Sequence, residues 1–330
     1  LGLAREGFDV RLATTTVGGS VAERVAREGV QVSPVGTRPR PDAAAVARLV
    51  GLARETAPVT VLGWGRSQAV AAAVAAAGCG ARLVSRVGAS PRGLSIGWAL
   101  KRARRVVAAS AAIAAACEGL GVAPGRIATV PPGADAAAAA GLSRGSLAAR
   151  LGLDPDKLWT LCVAPLVAES RLERLLWAID QLGVVHRRLE HVLVGAGPWR
   201  RRILRRARVQ QLAERLHLVP HLDCLPDLLR QTCLVWQSGE VACGGAILDG
   251  MALGLPAVAV DGDSARQLIV DGVTGRIVPA EPESEFPRRA LTILEDKHIA
   301  GGYGAAAAAR ARDEFPAERM VAGLLAAVHD

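Results

Sequence analysis

LVWQSGEVACGGAILDGMALGLPAVAVD, Leu234 to Asp261, decides the fold. Leu234–Gln237 reads as a short buried strand. The pair Gly244–Gly245 then opens an apolar run at helical spacing, Ala246–Leu253. "GLP" stops that run, because glycine accepts the left-handed turn after a helix and proline cannot continue one. Ala257–Val260 is a second apolar strand. A strand, a helix and a strand in so short a stretch form a crossover, which places two parallel strands in one sheet with the helix on its face. One acid, Asp249, lies inside the helix, and is expected nearer its start than its middle.

The same rhythm runs through most of the chain. Toward the N-terminus, strands are predicted at Val10–Thr14, Gln31–Val35, Val59–Trp64, Arg82–Val87, Arg105–Ala109 and Ile127–Pro131, with helices between them. "VPPGADAAAAAGLSRGSLAARLGLDPDK" interrupts the series with prolines, glycines and no strand. A second series follows at Leu158–Ala164, His191–Val194, His217–Pro220, Leu234–Gln237, Ala257–Val260 and Gly275–Val278. From Glu283 onward the tail reads as helical apart from "GGYG". The expected class is α/β, with two Rossmann-like doubly wound parallel-sheet domains facing a cleft. Residues 1–132 form the first, 133–157 a linker and 158–330 the second. The opening "LGLAREGFDVRLATT" reads as the last turns of a helix and then a strand, so the chain is expected to be a fragment whose first strand is missing.

Composition narrows the function. Half the residues are hydrophobic and the formal charge is +9, which describes a globular protein rather than a disordered one. Among the 40 basic residues only Lys101, Lys157 and Lys297 are lysine. So arginine-heavy a chain, with aromatics at 3%, lacks the stacking surface of a nucleic-acid binder; no nucleic acid is expected as partner. Attraction to phosphate-bearing ligands or an anionic lipid surface is retained, and "KRARR" (Lys101–Arg105) is a segment suited to the latter. None of the six cysteines forms a C-x-x-C pair, and no histidine stands at ligand spacing to them, so no metal site is expected. The cysteines fit a reducing compartment. No signal peptide or membrane-length apolar run is visible, so the protein is expected to be cytoplasmic, with membrane association open.

Two segments carry candidate chemistry. In "HVLVGAGPWRRRILRRAR" (His191–Arg208), Gly195 and Gly197 turn a strand into a basic helix. They serve either backbone approach to a phosphate or simply a tight turn. The arginines after them are either phosphate ligands or a solvated face. In the opening stretch, Gly244 and Gly245 would let successive N–H groups cradle a diphosphate, and Asp249 could accept hydrogen bonds from a sugar ring. The alternative is a capped helix with a solvated acid.

The order "VPPGAD", "LVGAGP", "PDLL", "GGAILDGMALGLPAVAVD", "LIVDGVTGRIVP" resembles the retaining glycosyltransferases of family 4, of GT-B fold. The resemblance implies a nucleotide-sugar donor bound mostly by the second domain, a glycan or lipid acceptor on the first, and no metal or cofactor. It also implies that the C-terminal helix, around Arg319–Val328, crosses back to pack on the first domain. The implied donor-binding residues are Arg171, Gly195, Gly197, Glu240, Gly244, Gly245 and Asp249. The match also departs from the family pattern. The family's "LEAMA" is "LDGMA" here, so Asp249 replaces a glutamate. Its other glutamate falls on Val241, beside Glu240. The arginine and lysine that hold the diphosphate in the family fall on Pro165 and Ser170, leaving Arg171 as the nearest cation. Two readings follow: an active glycosyltransferase with a shifted donor site, or a non-catalytic GT-B protein that binds nucleotide-sugar weakly or serves as a partner subunit.

Overall fold

The computed structural model describes residues 1–330 apart from 16–19, 38–40, 66–67, 135–140, 240–243 and 330. The strands are β1 (Arg11–Thr14), β2 (Gln31–Pro34), β3 (Thr60–Trp64), β4 (Arg82–Val87), β5 (Arg105–Ala108), β6 (Ile127–Thr129), β7 (Leu158–Val163), β8 (Leu189–Val194), β9 (Leu216–Val219), β10 (Leu234–Gln237), β11 (Ala257–Val260) and β12 (Arg276–Val278). Every pairing among them is parallel. The chain forms two compact units, Leu1–Pro132 with Ala317–Asp330, and Gly133–Pro316.

In the first unit the strands fall into two sheets, β1-β2 and β3-β4-β5-β6. The helix Ala69–Cys79 is alanine-rich for a reason: six of its alanines are buried, and short side chains let it lie close to β3. A Cβ on Gly63 would come within 2.9 Å of that of Ala72. The last helix, Ala317–His329, completes this unit. Its Leu324 and Ala327 pack in one cluster with Val84, Val107 and Val130.

The second unit is one sheet of order β12-β11-β10-β7-β8-β9. Side chains alternate between its faces, as strand geometry requires. Trp159, Leu161 and Val235 enter one core cluster, while Cys162, Leu193 and Trp236 enter the other. Connections run from β7 outward through β8 to β9, then return to β10 on the other side of β7. The strand order therefore reverses between β7 and β10, the position where open α/β sheets bind ligands beyond the carboxyl ends of their strands.

Three expectations are corrected. Residues 133–157 are not a bare linker. Arg144–Leu151 is a helix, capped by the Ser143 hydroxyl accepting from Ser146 N at 3.2 Å and ended by left-handed Gly152, and it belongs to the second unit. Its Leu147 is fully buried, and the Arg144 guanidinium lies 3.8 Å above the Trp159 ring. The boundary at 330 also moves: residues 317–330 group with the first unit, as the resemblance implies for the helix around Arg319–Val328. "GGYG" does not break the tail: it lies inside the helix Lys297–Glu314. A Cβ on Gly304 would overlap the Gly254 carbonyl, so glycine there permits a close approach between this helix and the "MALGLP" turn.

Candidate functional site

The carboxyl ends of β7, β8 and β10 meet around the reversal point. After β7 the chain makes a turn, Pro165–Arg171, held from within by the Ser170 hydroxyl donating to Pro165 O at 2.6 Å. It is pinned to the end of β10 by the Ser238 hydroxyl donating to Ser170 O at 2.8 Å. It is pinned to the loop after β8 by Leu166 N donating to Ala196 O at 2.9 Å and Trp199 N donating to Leu166 O at 3.0 Å.

This packing accounts for two of the candidate glycines. A Cβ on Gly195 would overlap the Ala164 carbonyl, and one on Gly197 would lie 2.5 Å from Leu166 O. Gly239, which the sequence reading passed over, is closed in the same way, 2.5 Å from Glu169 O. These three glycines are required by the neighbouring backbone. Gly244 takes the left-handed conformation, φ 51°, and caps the helix Gly245–Ala252 with no side-chain hydrogen bond. A Cβ on Gly245 would meet nothing within 4 Å. Gly244 is closed on one side, a Cβ there lying 2.5 Å from Leu268 Cδ1, but beside Gly245 there is space; a helix's first N–H groups lack intrahelical partners, and its dipole favours an anion. Gly244 and Gly245 share a small depression with Val163, Gln237, Ala246 and Ile247.

Asp249 is half-buried and sits fifth in this eight-residue helix, at its middle rather than near its start as expected. Arg171 is exposed, with φ 48° at the N-cap of the helix Leu172–Val185, and no carboxylate pairs with it among the described residues. Glu240 lies outside the described residues. Pro165 and Ser170, where the resemblance expects cations, are structural: Ser170 is 1% exposed and its hydroxyl is bonded.

Two further charged groups stand at this end of the sheet. Arg174, one turn after Arg171, lies 3.6 Å from Glu281 and 3.7 Å from Glu283. Arg202 pairs with Glu173 at 2.8 Å and stacks on Trp199. Sequence reasoning missed the Arg174 pairs, because the acids lie far away in the sequence, after β12. Three of the thiols take no part in such chemistry. Burial pushes Cys162 and Cys233 up to about 12 and Cys117 to about 11, so they stay protonated near neutrality. No group of metal-ligating side chains occurs among the described residues.

Residues 158–296 match the family Glycosyl transferases group 1, and residues 1–138 match Glycosyltransferase Family 4. The two matches lie side by side along the chain, and both families are glycosyltransferases. Over 72 residues, 22% of its length, it is 35% identical to phosphatidyl-myo-inositol mannosyltransferase of Mycolicibacterium smegmatis. Over 159 residues, 47% of its length, it is 28% identical to alpha-D-kanosaminyltransferase of Streptomyces kanamyceticus. These stretches are 19% and 41% of those proteins, so the chain spans less than half the length of the curated relatives it matches. The fold resembles that of Anabaena HepE in complex with UDP and glucose. The TM-score is 0.79 at 18% identity, over 97% of this chain and 91% of that one. The glycosyltransferase motif "VDGVTGRIVP" itself makes structure rather than chemistry. Asp271 accepts from Ile277 N at 3.0 Å, Thr274 Oγ1 accepts from Val270 N at 2.8 Å, and a Cβ on Gly275 would lie 2.5 Å from Ala257 O. Likewise the Asp227 carboxylate of "PDLL" is buried and accepts from Gly141 N and Leu142 N at 2.8 and 3.0 Å.

Proposed function

We propose that the chain transfers a sugar from a nucleoside-diphosphate sugar to a glycan or lipid acceptor, with retention at the anomeric carbon, and that it works at an anionic membrane surface. The observation that carries the donor half is the glycine helix start at Gly244–Gly245, with space beside Gly245, set where the strand order reverses. In this reading its N–H groups face the diphosphate, Arg171 supplies the cation, Asp249 holds the ribose and Glu240 the sugar. Fixed donors of this kind stabilise charge on a leaving diphosphate. The likeness to a fold that holds UDP in HepE supports the ligand class, and the names of the two curated relatives support transfer. No cofactor or metal is included.

A second reading has its own observation. The positions expected to carry the arginine and lysine are Pro165 and Ser170, and both are committed to holding the turn. A non-catalytic GT-B protein would retain the anion site without those cations. Titration calorimetry with UDP- and GDP-sugars, alongside a product assay on candidate lipid and glycan acceptors, separates the two. Binding with turnover supports the transferase, and binding without turnover supports the second reading. Absence of any nucleotide binding removes both.

A further inference from the structure

The helix Leu94–Arg102 shows an outer face that nothing in its own unit covers. Gly97, Ala99 and Leu100 are buried on the inner side. Outward lie Leu94, 93% exposed, and Trp98, 40% exposed, with Lys101 and Arg102 also exposed. Positions 94, 98, 101 and 102 share one face at helical spacing. Leu94 is the most exposed large hydrophobic residue among those described. The Arg102 guanidinium stacks 4.1 Å over the Trp98 ring, so the cation sits directly against the apolar side chain. Among the described residues no carboxylate pairs with Arg92, Lys101 or Arg102. The sequence around the helix is one-sided in charge: from Thr56 to Cys117 it holds no Asp or Glu, but eight Arg and Lys.

We infer that this face docks the protein on an anionic lipid bilayer, with Leu94 and Trp98 entering the headgroup boundary and Lys101, Arg102 and Arg92 meeting the lipid phosphates. An exposed leucine and tryptophan ringed by cations are the components of a helix that lies in a membrane interface. Two apolar side chains offer too little area for a stable protein interface, which buries ~800 Å² per partner. The basic helix Arg200–Val209 carries more charge, but its N-cap Trp199 and its Leu204 are half-buried and Val209 is its only exposed apolar residue, so it has cations without an exposed aromatic or leucine anchor. The inference deepens the membrane part of the proposed function and does not depend on sugar transfer.

The test is flotation of the full chain with phosphatidylcholine vesicles, with and without phosphatidylglycerol, at low and high salt. The protein is expected to float only with phosphatidylglycerol and to be released by salt. Lys101→Glu with Arg102→Glu should weaken binding by about 25-fold or more, at roughly fivefold for each cation lost. Leu94→Ser with Trp98→Ser should weaken it while leaving the salt dependence intact. Arg201→Glu with Arg205→Glu removes the same charge elsewhere and should leave binding within about twofold. Trp98→Phe should keep binding but lose the blue shift of tryptophan fluorescence on lipid addition. Thermal unfolding of each variant identifies any that fail to fold, and the Trp98→Phe fluorescence then stands as the independent measurement. Loss of binding in the 201/205 pair but not the 101/102 pair, or equal flotation without anionic lipid, overturns the assignment. UDP titration on the same samples keeps the questions apart: a chain that binds UDP and ignores vesicles loses only this surface, and one that floats without binding UDP loses only the donor reading.

Discussion

Arg171 combines a cost and a use. It holds a left-handed backbone conformation, which costs a non-glycine residue ~1 kcal/mol, and it presents an exposed cation beside the loops that form the candidate site. Arg171→Gly is therefore expected to raise the unfolding temperature of the second unit while weakening UDP binding about tenfold, as loss of a charge-assisted hydrogen bond does. Calorimetric scanning and UDP titration on the same variant read the two effects. If binding is unchanged, another cation holds the phosphate. A second residue governs acid sensitivity. Burial holds His191 down at about 3, helped by the positive charges of Arg215, His217 and His186, and its Nδ1 is bonded to the Thr160 hydroxyl at 2.7 Å. Below its ordinary value of about 6.5 the unfolded chain takes up a proton that the folded chain refuses. Stability contributed by neutral His191 is therefore present above that value and is lost as pH falls toward 3, at up to ~1.4 kcal/mol per pH unit. Urea unfolding at pH 7 and pH 5 should show a smaller difference in His191→Gln than in the parent.

At the scale of elements, glycine substitutions sort by what a Cβ would meet. Gly304→Ala is expected to destabilise by about 1–3 kcal/mol, because the added carbon meets the Gly254 backbone, which cannot swing aside. Gly245→Ala has open space, so it should leave stability within ~0.5 kcal/mol and weaken nucleotide binding. Denaturant midpoints and UDP titration check both. The same positions show how much the sequence discloses. All twelve strands are legible to within about two residues, most of them because parallel strands buried on both faces read as short apolar runs, though β1, β2 and β6 are only partly buried. The helix Arg144–Leu151 is not, although Ser143 and Gly152 bracket it, because the prolines and glycines on either side dominate the composition. "GGYG" misleads because glycine weakens a helix locally, and only the tertiary contact at Gly304 shows why it is kept. In the site, the glycines are legible as glycines but their purposes are not. Gly195 and Gly197 serve a neighbouring loop, Gly245 faces open space, and sequence alone gives all of them one reading. The Glu281 and Glu283 partners of Arg174 are invisible at that distance along the chain.

At the scale of the molecule, the first unit depends on the end of the chain. Phe8 meets His329 edge to face, Met320 Sδ accepts from Arg86, and Gly323 lies so close to Val130 that a Cβ there would be 2.9 Å from both its methyls. A chain ending at Pro316 should lower the melting of the first unit by about 10 °C or more, since Val84, Val107 and Val130 lose their cover. The second unit should melt unchanged. Two transitions resolved by calorimetry, with UDP added to mark the second, check this. Should both shift together, the units do not unfold separately.

The return of Ala317–His329 to the first unit also orders events during translation. Residues 133–316 emerge as one uninterrupted stretch and hold everything their six-stranded sheet needs. The first unit emerges earlier, yet waits for the final helix. On the ribosome the second unit is thus able to finish before the one that precedes it, and the first is left with an uncovered apolar face until residues 317–329 have emerged. A pause in synthesis, or a stop codon, ahead of Ala317 would leave a folded second unit tethered to a first that cannot close. The burden of quality control on the first unit therefore falls on a helix made long after the strands it covers.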